Sequence, residues 1–133
     1  MPHANVWEWH GVVMTFWGTV SGKQFLQAAQ SVAADAALDD LRFAIIDFTD
    51  VIDHTIDEST QEDLAALRIG SIATNPNVRV VFVTPNEKMA ALGRAMNRWP
   101  LTGSHEVHVF ATVELAREWL HQQPVLSAFR RPE

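Results

Sequence analysis

Leu41-Arg42-Phe43-Ala44-Ile45-Ile46-Asp47-Phe48 is an apolar run interrupted only by Arg42 and closed by Asp47. It is too short for a helix and suits a strand buried on both faces. Val78-Arg79-Val80-Val81-Phe82-Val83 repeats the pattern. Strands of this kind belong to parallel sheets, whose crossover helices cover them.

Those helices are legible on either side. Ser21-Gly22-Lys23-Gln24 fits a capping box, in which serine and glutamine satisfy each other's backbone N–H groups. Behind it Phe25, Ala28, Ala29, Val32, Ala33 and Ala36 recur at helical spacing. Residues 49–58 read as a polar, irregular loop. Ser59-Thr60-Gln61-Glu62 is then a second capping box, with residues 55–58 competing for the role. Leu64, Leu67, Ile69 and Ile72 supply the helix face, and Asn75-Pro76-Asn77 ends it.

Pro85-Asn86 opens a short helix with Met89, Leu92, Gly93 and Met96. A loop over 100–104 leads to a last strand over 106–110. Thr112 caps a final helix with Val113, Ala116, Trp119 and Leu120 on one face. Residues 6–20, rich in β-branched and aromatic side chains around His10-Gly11, read as a hairpin. The predicted order is β-β-α-β-α-β-α-β-α. This is an α/β domain with a mixed sheet of about five strands and four helices, antiparallel only in the opening hairpin.

A length of 133 residues suits one domain with a real core, here expected over 1–133 with a loosely ordered tail at 123–133. Apolar content of 47% excludes a disordered chain. The absence of cysteine excludes disulfides, thiolate metal sites and a cysteine nucleophile. The start lacks the basic and apolar regions of a signal peptide, and no apolar run reaches membrane-spanning length, so a cytoplasmic protein without membrane insertion is expected. A net charge of −6 disfavours nucleic acid as a partner.

The order of elements, with certain local phrases, resembles the SpoIIAA-like family, whose members carry the STAS or Sec14-like fold. The phrases are Trp17-Gly18-Thr19-Val20-Ser21, Ile45-Ile46-Asp47-Phe48-Thr49-Asp50-Val51, Val80-Val81-Phe82-Val83-Thr84-Pro85 towards Leu92-Gly93-Arg94-Ala95-Met96, and Val107-His108-Val109-Phe110 before Ala116-Arg117-Glu118-Trp119-Leu120. In anti-sigma antagonists of this family a serine beyond the third-strand aspartate is phosphorylated by a partner kinase. Counting on from Asp47, the resemblance places that serine at Ile56, which cannot be phosphorylated. Thr55 and Ser59 lie nearby without the family's setting, among acidic groups that oppose an added phosphate. The resemblance thus implies the fold, a regulatory protein contact without the phospho-switch, or occupancy of an apolar pocket.

The residues supply four candidate sites and a basic pair. The crevice beyond the carboxyl ends of the parallel strands is edged by Asp47, Thr49, Thr84, Asn86 and Thr112. These types equally suit turns and caps. An apolar ligand would lie between sheet and helices, against Leu67, Ile72, Leu92 and Met96. Asp47, Asp50, Asp53, His54 and Asp57 could attract a hard cation, or simply favour a helix N-terminus; the spacing fits no calcium loop, and no metal site is assigned. His105 and His108, three apart on a strand, point to opposite faces.

Trp7 and Trp9 alternate with Glu8 and are expected to share a face of the first strand, as core or, with Trp17, as an interface. Trp119 is assigned to core. Arg94 and Arg98 line one helix face, near Trp99, and could receive an acidic partner. No catalytic constellation and no cofactor motif such as GxGxxG or a P-loop is present. The expected function is a non-enzymatic interaction or regulatory module, a homodimer through the tryptophan hairpin, with a possible protein partner. The alternative is a carrier of a small apolar or lipid-like ligand.

Overall fold

The computed structural model describes residues 3–97 and 106–124. Strands β1 (His3–Glu8) and β2 (Gly11–Ser21) form an antiparallel hairpin. Helix α1 (Gly22–Ala33), a short 3₁₀ helix (Ala36–Asp40), β3 (Phe43–Thr55), α2 (Glu58–Thr74), β4 (Arg79–Val83), α3 (Glu87–Ala95), β5 (Val107–Phe110) and α4 (Val113–Gln122) follow. The sheet order is β1-β2-β3-β4-β5, and every pair after the first is parallel. The α/β architecture is the expected one.

Sequential order has a geometric consequence. Right-handed crossovers that always step in one direction put their helices on the same face. The larger core cluster accordingly joins Phe25 of α1, Leu64 of α2 and Met89 of α3 to Val12, Phe16, Ile46, Phe48 and Phe82 of the sheet. Phe48 is its centre, with ring centroids 5.2 Å from Phe16, 5.7 Å from Phe25 and 4.7 Å from Phe82. Among the described residues, the opposite face is covered by α4 alone. Ala116 packs there on Ile45, Val81 and Val83, with Val113, Trp119 and Leu120 alongside.

Local chemistry sets the boundaries. Ser21 Oγ accepts from the Gln24 N–H at 3.1 Å, and the Gln24 side chain accepts from the Ser21 N–H at 2.9 Å, completing the expected capping box. Thr112 Oγ1 caps α4 through the Leu115 N–H. Asn75 ends α2 as predicted and is also buried, its Nδ2 donating to the carbonyls of Leu38 and Leu41 at 2.7 and 2.9 Å. Gly93 lets α3 lie on the sheet: a Cβ there would stand 2.8 Å from the Phe82 ring.

Three expectations need correction. Residues 49–55 are not loop: β3 runs through Thr55 because β2 continues to pair with it, with two register shifts, after β4 has ended. Helix α2 is capped by Asp57, whose Oδ1 accepts from the Thr60 N–H at 2.9 Å, and neither Ser59 nor Thr55 takes the role. Trp7 and Trp9 do not share a strand face, since Trp9-His10 is the hairpin turn and His10 has a φ of 60°. Trp7 packs against the larger core, whereas Trp9 is 86% exposed. The readings placed on Arg98, Trp99, the 100–104 loop, His105 and most of the 123–133 tail lie outside the described residues. Among the described residues no helix is long and apolar enough to cross a membrane.

Candidate functional site

The polar residues predicted to edge the strand-end crevice lie at the carboxyl ends of neighbouring strands, Asp47 level with Val83 and the Thr84 N–H donating to the Phe110 carbonyl. Asp47 alternates with Ile46 and Phe48 and therefore faces the α4 side. Its Oδ1 accepts from the Thr49 N–H at 2.9 Å and from the Thr49 hydroxyl. Thr84 is buried; its Oγ1 accepts from the Asn86 N–H, and Asn86 Oδ1 caps α3 through the Lys88 N–H at 2.8 Å. Leu92 and Met96 are core residues on the other face. The polar members are thus committed to turns and caps, and the apolar pair lies across the sheet from Asp47.

The acidic segment is similarly engaged. Asp53 accepts from the His54 N–H and from Lys88 Nζ, both at 2.8 Å, which ties the end of β3 to the start of α3. The bond from Lys88 holds the Asp53 carboxyl below the usual range, and the Thr60 N–H does the same for Asp57. Partial burial lowers the His54 imidazole. Among the described residues no three His, Asp or Glu side chains are grouped to hold a metal ion. His108 stacks on Trp119 at 4.5 Å.

An apolar cavity does lie between the sheet and α1–α2, lined by Leu67 and Met96 as anticipated but not by Leu92 or Ile72. Arg68 edges it, donating to the Met96 carbonyl at 2.6 Å, and burial lowers its pKa to about 10. The volume is about 90 Å³. An engineered cavity that admits benzene is roughly 150 Å³, and drug-sized pockets begin at about 300 Å³. The space is smaller than either.

Three exposed apolar side chains lie on the sheet, apart from Trp9 at the turn, Ile69 on α2 and Leu115 on α4. Among the described residues, helix α4 covers the β3–β5 part of its face and leaves the β1–β2 part open. Val6 is 55% exposed on β1, Trp17 is 42% exposed on β2, and Ile52 is exposed near the end of β3. By strand alternation Val6 and Trp17 lie on the α4 side, and Val6 sits opposite Val13 in the hairpin register. The tryptophan trio therefore divides: Trp17 belongs to this surface, Trp7 to the core, and Trp9 to the turn at the opposite end of β2. Ile52 had been hidden in the supposed loop. Its signal was the continued β-branched content of Val51-Ile52 beyond Asp47.

No protein-family model matches the chain, and no curated protein sequence matches it. The chain is similar in structure to the anti-sigma factor antagonist SpoIIAA in its unphosphorylated form, with a TM-score of 0.58 and 14% identity, over 91% of this chain and 99% of that one. At that identity the likeness establishes a SpoIIAA-like, STAS-type fold. Ile56, where the family resemblance places the phosphorylated serine, is 7% exposed and part of the larger core.

Proposed function

We propose that this chain is a non-enzymatic protein-interaction module that pairs with a second copy of itself through the β1 edge and the open part of the α4 face. Val6 carries the reading. It stands exposed on a six-residue edge strand, His3-Ala4-Asn5-Val6-Trp7-Glu8, that has no proline, no lysine and no bulge. Proteins that stay monomeric usually blunt such an edge with one of these devices. Trp17 adds an aromatic anchor on the neighbouring strand, of the type that concentrates binding energy at interfaces. The fold shared with an antagonist of another protein supports a regulatory role, and the buried Ile56 supports one without a phospho-switch.

Sedimentation velocity tests the assignment. The unaltered chain is expected to sediment as a dimer, and the double variant Val6→Lys with Trp17→Ala as a folded monomer. A monomeric parent, or a double variant that still dimerises, rejects it.

A further inference from the structure

The end of the sheet where β3 and β4 begin carries a second feature, separate from the β1 edge. A groove of about 390 Å³ opens there, within the roughly 300–1,000 Å³ typical of small-molecule sites. Arg42, Arg79 and Arg117 line it, with His10, His121 and Trp9. Three of the ten Lys and Arg residues of a chain with net charge −6 thus meet at one cavity.

Their bonding leaves positive charge uncancelled. Arg117 is paired with Glu8. Arg42 and Arg79 form no ion pair among the described residues. Their Nη1 atoms donate instead to backbone carbonyls, Arg42 to Leu41 and Asp39, and Arg79 to Pro124 at 2.8 Å. Carbonyl bonds fix a guanidinium in place without neutralising it. Arg42 Nη2 has no hydrogen-bond acceptor among the described residues. The nearby carboxylates of Asp39 and Asp40 belong to exposed residues of the 3₁₀ helix.

One wall is aromatic and held firmly. The His10 carbonyl accepts from the N–H groups of Arg42 at 2.8 Å and Phe43 at 3.3 Å, and His10 Nδ1 donates to the Asp40 carbonyl at 2.9 Å. The turn is therefore pinned to the start of β3, with the Trp9 ring exposed and 4.1 Å from the His10 ring.

We infer that this groove binds a small organic anion, a phosphate monoester or a carboxylate with an aromatic or aliphatic body. Arg42 and Arg79 take the anionic head, since a guanidinium fork matches two oxygens of either group. Trp9 and His10 flank the body.

Two-dimensional NMR of the full chain, titrated with phenyl phosphate, benzoate, inorganic phosphate and neutral phenol, tests this. Phenyl phosphate or benzoate is expected to shift the Trp9 indole and the His10 and His121 ring signals saturably, and the tighter of the two identifies the head group. Phenol should produce no such shift, and inorganic phosphate a weaker one. Arg79→Gln, and separately Arg42→Gln, should weaken the bound anion about tenfold or more while the remaining spectrum stays folded. Arg79→Gln keeps the test decisive should Arg42→Gln fail to fold. The inference is overturned by absence of a saturable shift with either organic anion, by equal binding of phenol, or by affinity unchanged in folded variants.

Discussion

Arg117 and Glu8, 109 residues apart, are joined fork to fork: Nη1 donates to Oε1 at 3.0 Å and Nη2 to Oε2 at 2.6 Å. The pair ties β1 to the helix that covers the other end of the same sheet face. The bond from Arg117 lowers the Glu8 pKa against the opposing effect of burial. A carboxyl lowered on folding stabilises the protein above its unfolded pKa, and the contribution is lost as pH falls through the folded value. Both side chains are about one-third exposed, so solvent screening keeps the effect small. Glu8→Gln should cost about 0.5 kcal/mol in urea unfolding at neutral pH. The difference from the parent should shrink below about pH 4 and in high salt. A difference that survives acid would assign the loss to packing.

Ile56 separates this chain from a phosphorylatable antagonist. Ile56→Ser removes a buried side chain and leaves a hydroxyl in the larger core. A loss of about 2–5 kcal/mol is expected from the urea midpoint. An unchanged midpoint would show that the position tolerates solvent, and that a serine there could be reached by a kinase.

Gly93 is required by approach distance. Gly93→Ala places a methyl against the Phe82 ring, and overpacking of this kind costs about 1–3 kcal/mol. Calorimetry should record a melting temperature several degrees lower. Pairing it with Phe82→Leu should recover part of the loss, because the smaller side chain yields the space.

Asn75 joins the end of α2 to the 3₁₀ helix through two buried bonds. Asn75→Ala removes one donor from each of the carbonyls of Leu38 and Leu41, which keep the Leu41 N–H and Arg42 Nη1 respectively, and the two lost bonds should cost about 1–3 kcal/mol. Hydrogen exchange should localise the loosening to residues 36–42. A uniform change across the sheet would argue against a local clasp.

The order of elements was legible because the parallel strands are buried on both faces and the helices carry clear apolar stripes. The Ser21 box and the Thr112 cap were legible because their partners lie three residues away. The second half of β3 was not. It pairs with β2 alone, so it is exposed and polar, and its two register shifts break the alternation that identifies strands. Trp7 and Trp9 were misassigned because alternation holds only within a strand, and Glu8 is the last residue of β1. The arginine groove left no local signature, since Arg42, Arg79 and Arg117 come from three separate segments and meet only when the sheet forms.

The sequential strand order bears on how the protein is made. Each strand after the first pairs with the one synthesised immediately before it, so the sheet can extend in the direction of translation. No early strand must wait with an unfilled slot for a late one, unlike sheets in which a central strand comes last. Loop closures stay short, which favours rapid folding. The Glu8–Arg117 pair is then a late event: it forms only after α4 has left the ribosome, as a latch on a sheet already assembled.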